Sequence, residues 1–293
     1  MDKPYLSEVY CVTKTRRLQD FKDWMTWYTK VVPFDHIVIY DNESFVDIKS
    51  VCDQYGDLVE YYRVDGFPER YKINTHHSNQ RSRAKWTIPL DDDEFLYIGE
   101  QFDHSVNKFL TYMEETYPTC KKIAVMWINM IAEHPVESRD DSTPALVETN
   151  LFHNRRAFNR ATPYRARRME GWIKCFVDTS CGNWVYNIYN GHTYNQGHNP
   201  TFFEGTDVMA YFVNGEKSLQ SCIPTRLPDD QAFVGHYSLR SRQEWLYKCS
   251  IPCSGVITQN LKSLSNLYDD VYKSDKLFEK LTVLKDLWTE KTK

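Results

Sequence analysis

The sequence has no apolar run long enough to cross a membrane. Its longest uncharged apolar stretch, Ile123 to Ala132, is ten residues, where a spanning helix needs about twenty. The opening Met1-Asp2-Lys3-Pro4-Tyr5 lacks the apolar core of a secretory signal, so a soluble, cytoplasmic chain is expected. There is no excess of positive charge either. Lys and Arg number 36 against 40 Asp and Glu, a net charge of −4, which argues against a nucleic-acid protein working by bulk charge. Glycine and proline are sparse, at 11 and 12 residues, while hydrophobic residues reach 41%, a balance that excludes a disordered chain. Eight cysteines are scattered, and the closest pair, Cys249 and Cys253, lacks CxxC spacing. Reduced thiols are expected, not a zinc ribbon or a disulfide framework. Walker and HExxH motifs are also missing. What is abundant is aromatic: 8 Trp, 20 Tyr and 15 Phe, suited to stacking on sugar rings or bases, or to thick core packing.

A length of 293 residues holds about two domains' worth of core, or one large α/β domain. Glu8–Thr13 reads as a strand, and Leu18, Phe21, Trp24, Met25 and Tyr28 follow at helical spacing. His36–Tyr40 is a second strand, stopped by the turn residues Asp41-Asn42-Glu43-Ser44. A helix over Val46–Tyr55, a strand over Leu58–Tyr62, a polar helix over Asn74–Lys85 and a strand over Trp86–Leu90 continue the alternation. Such alternation implies a parallel sheet with ligands at the carboxyl ends of its strands. Ser105–Tyr117 is expected to be helical and Lys122–Met130 a strand. From Ala132 to Pro228 short strands and long polar loops suggest binding surface, and Gln259 to Lys291 reads as a helical tail.

The strand before Leu90 runs into Asp91-Asp92-Asp93-Glu94. Side chains alternate along a strand, so Asp91 and Asp93 are expected to point to one side and Asp92 and Glu94 to the other. Converging carboxylates repel each other unless a cation neutralises them, and oxygen ligands suit Mg²⁺ or Mn²⁺. A solvated acidic turn is the alternative, but the apolar strand before the acids and Phe95-Leu96 after them argue for a bound metal.

Lys14 after the first strand, Ile39-Tyr40-Asp41-Asn42-Glu43-Ser44 at the second, and Leu90-Asp91-Asp92-Asp93-Glu94-Phe95-Leu96 at the fourth resemble the GT-A glycosyltransferases of families 92 and 2. Trp127, Trp172-Ile173-Lys174-Cys175-Phe176-Val177, His192 and the block Gly235-His236-Tyr237 through Leu246 extend the resemblance over about residues 6 to 250. Two features depart from it: Thr15-Arg16 stands where those enzymes have Asn-Glu, and no stretch of this sequence is apolar enough to be the membrane anchor common in eukaryotic members.

The resemblance implies a GT-A fold, Rossmann-like, with a mostly parallel central sheet flanked by helices. A transferase domain would span 1–250, with a nucleotide-sugar half to about 100 and an acceptor half to 250, followed by a helical tail over 251–293. It implies Mn²⁺- or Mg²⁺-dependent, inverting transfer of a sugar from a nucleotide diphosphate, UDP first, to a hydroxyl of a glycan acceptor. Asp93 is the first expected metal ligand, Asp91 shares the metal or faces the donor, and His236 closes the coordination. Lys14, Arg83 and Lys174 are expected at the donor and Asp41 at the nucleoside. The base is expected at Glu170 or Asp178, with Glu133 and Asp207 as further candidates. Two other functions stay open: a metal-dependent nucleotidyltransferase or phosphohydrolase, and a glycan-binding protein without catalysis.

Overall fold

The computed structural model describes residues 3–66, 70–132, 134–140, 144, 149–153, 172–182, 184–185, 201–202, 210–215, 217–218, 231–250 and 278–293. In the first third, β1 (Tyr5–Thr13), β2 (His36–Asp41), β3 (Val59–Arg63) and β4 (Ala84–Pro89) are linked through α1 (Leu18–Thr26), α2 (Lys49–Cys52) and α3 (Arg70–His76). The four strands lie in the order β3-β2-β1-β4 and all run parallel, because each helical crossover carries the chain back to the same starting edge. The helix expected over Val46–Tyr55 starts at Lys49 as α2 and continues past Cys52 as 3-10 turns over Asp53–Leu58. The chain turns there through Gly56 at φ 54°, a conformation that glycine adopts at least cost.

Beyond β4 the sheet changes character. The chain adds β5 (Glu94–Ile98), α4 (Val106–Thr116), β6 (Lys122–Ala132), β7 (Thr149–His153) and β8 (Trp172–Asp178). Four two-residue strands follow: β9 (Trp184–Val185), β10 (Thr201–Phe202), β11 (Ala210–Tyr211) and β12 (Lys217–Ser218). After them come β13 (Ala232–Leu239) and α5 (Arg242–Ser250). β8 pairs antiparallel with both β4 and β6, while β13 sits between β6 and β5, parallel to the first and antiparallel to the second. The path across the sheet is therefore β3-β2-β1-β4-β8-β6-β13-β5, parallel in its first half and mixed in its second.

Burial fixes these layers. On one face α1 presents Phe21, Trp24 and Met25, and its continuation through Val31 adds Trp27 and Tyr28, all fully buried. Ser105 caps α4 by accepting from the Lys108 amide, and Phe109, Leu110 and Met113 face inward. On the other face Tyr10, Val38 and Tyr40 pack beneath Ile73 of α3. Here the buried Glu8 carboxylate meets His36 Nδ1 at 2.7 Å and His77 Nε2 at 2.6 Å.

The expected helical tail differs in its described part. Residues 251–277 lie outside the described residues, and Phe278–Lys280 forms β14, paired antiparallel with β7. Hydrogen-bonding groups along the β7 edge favour pairing there over a helix. The last helix, α6 (Val283–Thr292), buries Leu284, Leu287 and Trp288 in the main core, with Trp288 stacked 6.3 Å from Trp27. No described helix is long and apolar enough to cross a membrane. Among the described residues Cys11, Cys52, Cys120, Cys175 and Cys181 are free thiols.

Candidate active site

β1, β2 and β4 end at one edge of the sheet, with β2 on one side of β1 and β4 on the other. Strand order reverses at β1, which opens the crevice where α/β sheets bind ligands. Three segments leave the sheet there: Lys14–Arg17 after β1, Asn42–Phe45 after β2, and Leu90–Asp93 after β4.

The acids do not continue the strand. The Glu94 amide donates to the Asp91 carbonyl at 3.0 Å, and the Asp91 amide donates to Glu94 Oε2 at 2.8 Å, closing a tight turn. Strand alternation therefore fails over Asp91–Glu94, and each carboxylate takes its own direction. Asp92 turns toward β1, where its Oδ2 accepts from Thr13 Oγ1 at 2.7 Å and Thr15 Oγ1 at 3.0 Å. Asp93 turns toward β13: its Oδ2 lies 3.4 Å from His236 Nε2, and its carbonyl accepts from the Tyr237 amide at 2.8 Å. Glu94 turns inward and is fully buried, with Lys174 Nζ at 2.8 Å and Trp127 Nε1 at 2.6 Å. Trp127 in turn stacks on the His236 ring at 4.3 Å.

α1 supports this turn from below. Trp24 Nε1 donates to the Asp91 carbonyl at 2.9 Å, Tyr28 Oη to the Glu94 carbonyl at 3.0 Å, and Trp27 Nε1 to the Leu96 carbonyl at 2.8 Å. The aromatic spacing read as core packing thus serves also to fix the acid turn. Sequence reasoning missed this second role because periodicity reports burial and not where an indole N–H points.

The structure brings Asp93 and His236 together but leaves Asp91 outside that pair, with its Oδ2 4.0 Å from Lys174 Nζ. Among the described residues no group of three or more His, Cys, Asp or Glu could by itself hold a metal ion, so the expected three-residue set is reduced to two. A carboxylate and an imidazole suit Mn²⁺ or Mg²⁺ if substrate phosphates and water supply the other positions. Lys174, expected as a donor contact, is instead the buried counter-ion of Glu94.

Asp41 ends β2 at the crevice but is 2% exposed. Burial works against its charge, yet hydrogen bonds from Tyr61, Ser44 and Arg63 hold its carboxyl below the usual range. Lys14 stands at the rim, paired with Glu43 at 3.3 Å. Beside it Phe45 is 61% exposed and meets Tyr247 of α5 edge to face at 6.1 Å, and the Arg16 guanidinium lies 4.1 Å over the Tyr247 ring.

Arg83 and Asp178 are not brought to the crevice. Arg83 precedes β4 at the opposite edge of the sheet, paired with Glu60 at 2.9 Å. Asp178 is opposite Trp86 near that same edge, because β8 runs antiparallel to β4. It pairs with Lys121 at 3.0 Å and accepts from the Ser180 amide at 2.9 Å. Glu170, Glu133, Asp207 and His192 lie outside the described residues.

No family model matches the sequence, and no curated protein matches it. Solved structures similar to the chain include S. aureus TarS 1-349, at 8% identity and TM-score 0.38 over 92% of this chain and 72% of that one. The same TarS segment in complex with UDP aligns at 9% identity and TM-score 0.33, over 60% of this chain and 47% of that one. A further TarS structure is spanned over only 23% of its length, by 46% of this chain, at 10% identity and TM-score 0.29. The 4-diphosphocytidyl-2C-methyl-D-erythritol synthase of Anaerococcus prevotii DSM 20548 aligns at 13% identity and TM-score 0.30, over 60% and 71% of the two chains. Likeness at these TM-scores assigns no activity.

Proposed function

We propose that the chain transfers a sugar from a nucleotide diphosphate donor, UDP-linked first among them, to a hydroxyl of a glycan acceptor, with inversion at the anomeric carbon. The observation that carries this reading is the meeting of Asp93 and His236 at the carboxyl edge of the sheet, beside the reversal of strand order at β1. Asp93 and His236 would hold Mn²⁺ or Mg²⁺, which when bound neutralises charge on a diphosphate leaving group.

The chain's own residues do the orienting. Trp127 stacks on His236 and donates to Glu94, so the imidazole is held against one flat face and presents Nε2 to Asp93. Lys174 neutralises Glu94, which leaves the charge of Asp93 directed at the crevice. Thr13 and Thr15 occupy Asp92, which fits a bracing role for that acid and not a ligand role. At the rim Phe45, Tyr247 and Arg16 supply an aromatic face and a positive charge, a combination that suits a base joined to phosphates. The acceptor's proton goes to a carboxylate on the acceptor side. Of the two first candidates Glu170 is preferred over Asp178, which pairs with Lys121 near the opposite edge of the sheet, and Glu133 and Asp207 follow.

The test is a thermal-shift and hydrolysis panel of UDP- and GDP-sugars and of nucleoside triphosphates, each with Mn²⁺ and with EDTA. Stabilisation by one nucleotide sugar that EDTA abolishes is the expected result. Turnover of triphosphates alone would replace the reading with nucleotidyl or phosphoryl transfer, and glycan binding insensitive to EDTA would replace it with a binding protein.

A further inference from the structure

Arg240 follows β13, three residues after Tyr237, and is 9% exposed. Its guanidinium reaches three separate segments. One terminal nitrogen donates to the Asp92 carbonyl at 3.0 Å, Nε donates to the Tyr237 carbonyl at 3.1 Å, and the other terminal nitrogen pairs with Asp20 of α1. Asp20 is itself held by Arg139 at 2.5 Å. These partners flank the Asp93–His236 pair: Asp92 precedes Asp93, and Tyr237 follows His236 and donates its amide to the Asp93 carbonyl.

We infer that Arg240 is a positioning residue, a planar fork that locks the acid turn to β13 and sets the separation of Asp93 from His236. The inference rests on the metal role proposed above for that pair. Geometry explains why arginine occupies the position. Three hydrogen bonds in different directions from one buried cation require a rigid fork, and lysine, a point charge on a flexible stem, can satisfy Asp20 without reaching both carbonyls. Arg240→Lys should therefore keep the buried charge, and with it most of the fold's stability, while releasing the turn. Residues that orient metal ligands typically change metal affinity by about 10- to 100-fold when replaced. No role was legible for Arg240 in the sequence, since its partners are contributed by residues 20 and 92.

The experiment compares wild type, Arg240→Lys and Arg240→Gln on the full chain. Three quantities are read: melting temperature in EDTA, the Mn²⁺ midpoint from thermal shift with UDP present, and metal-free amide exchange of the 90–96 and 232–239 peptides. For Arg240→Lys the expected result is a near wild-type melting temperature, a Mn²⁺ midpoint raised about tenfold, and faster exchange confined to those two peptides. An unchanged midpoint together with unchanged exchange in Arg240→Lys overturns the inference, as does a uniform rise in exchange across the whole chain. If the wild type shows no response to Mn²⁺, the metal reading fails by itself. Exchange then decides alone whether Arg240 locks the turn: local acceleration sustains it and no acceleration ends it.

Discussion

Lys174 and Glu94 show how one buried pair can be misread from sequence and still matter to the site. Both side chains are within 2% of full burial and stand 2.8 Å apart. A pair of this kind contributes little net stability relative to apolar residues of the same shape, but losing one partner leaves an uncompensated buried charge. Lys174→Met should therefore destabilise the fold by about 3–5 kcal/mol, and the double change with Glu94→Gln should recover most of that loss. Urea unfolding of the two variants checks this, and equal losses in both would show that the pair acts through volume and not charge. At Asp93 the expectation is different. Its side chain is buried beside His236, so Asp93→Ala should cost about 0.5–3 kcal/mol of stability, the common range for a point substitution. It should nevertheless abolish Mn²⁺-dependent stabilisation by a nucleotide sugar. Retained stabilisation in a thermal-shift titration would remove Asp93 from the ligand set.

β13 carries His236 into the site, and it is wedged between β5, β6 and α6. Gly235 shows how tight that wedge is. A Cβ placed there would lie 2.5 Å from Leu284 Cδ1, 3.2 Å from Tyr237 Cε2 and 3.3 Å from Met130 Cγ. Leu284 is fully buried, so it has no open space into which to move. Gly235→Ala should cost about 1–3 kcal/mol through overpacking, and a secondary Leu284→Ala change should relieve part of it, as denaturant midpoints would show. α1 contributes at the same scale. With its continuation through Val31 it sends three donors to the Asp91, Glu94 and Leu96 carbonyls, which makes the acid turn part of the α1 packing layer and gives it the rigidity of the core.

For the whole molecule, pH sets two opposing trends. Burial and the neighbouring Asp20 push Asp23 up to about 6, against a hydrogen bond from Gln19, and its Oδ2 has no hydrogen-bond partner among the described residues. A carboxyl raised in the folded state costs stability above its folded pKa, and the cost fades as pH falls toward the unfolded value. Glu8 behaves oppositely. Burial would raise it, but the contacts with His36 and His77 hold it far below the usual range, so its contribution is present above the unfolded value of 4.5 and is lost as pH falls below that. Stability should rise slightly from pH 7 to about 5 and then fall steeply in acid. Asp23→Asn should remove the rise, with a gain of order 1–3 kcal/mol at pH 8 and none near pH 4. Chemical denaturation across pH 3–8 tests both arms, and a flat profile for the wild type would contradict them. The sequence by itself determined the alternating strands and helices of the first third, the strand ends that carry Lys14, Asp41 and Asp91–Asp93, and the aromatic face of α1. Those features follow from periods of two and of about 3.6 residues and from turn chemistry, which are local. Tertiary structure alone decided that the acids form a turn, that Lys174 belongs to Glu94, that Asp178 and Arg83 stand at the far edge, and that Arg240 reaches Asp20 and Asp92. The reason is physical. Strand direction, pairing order and the burial of charge depend on segments distant in the chain, and a carboxylate in a linear sequence carries no sign of which cation will be folded against it.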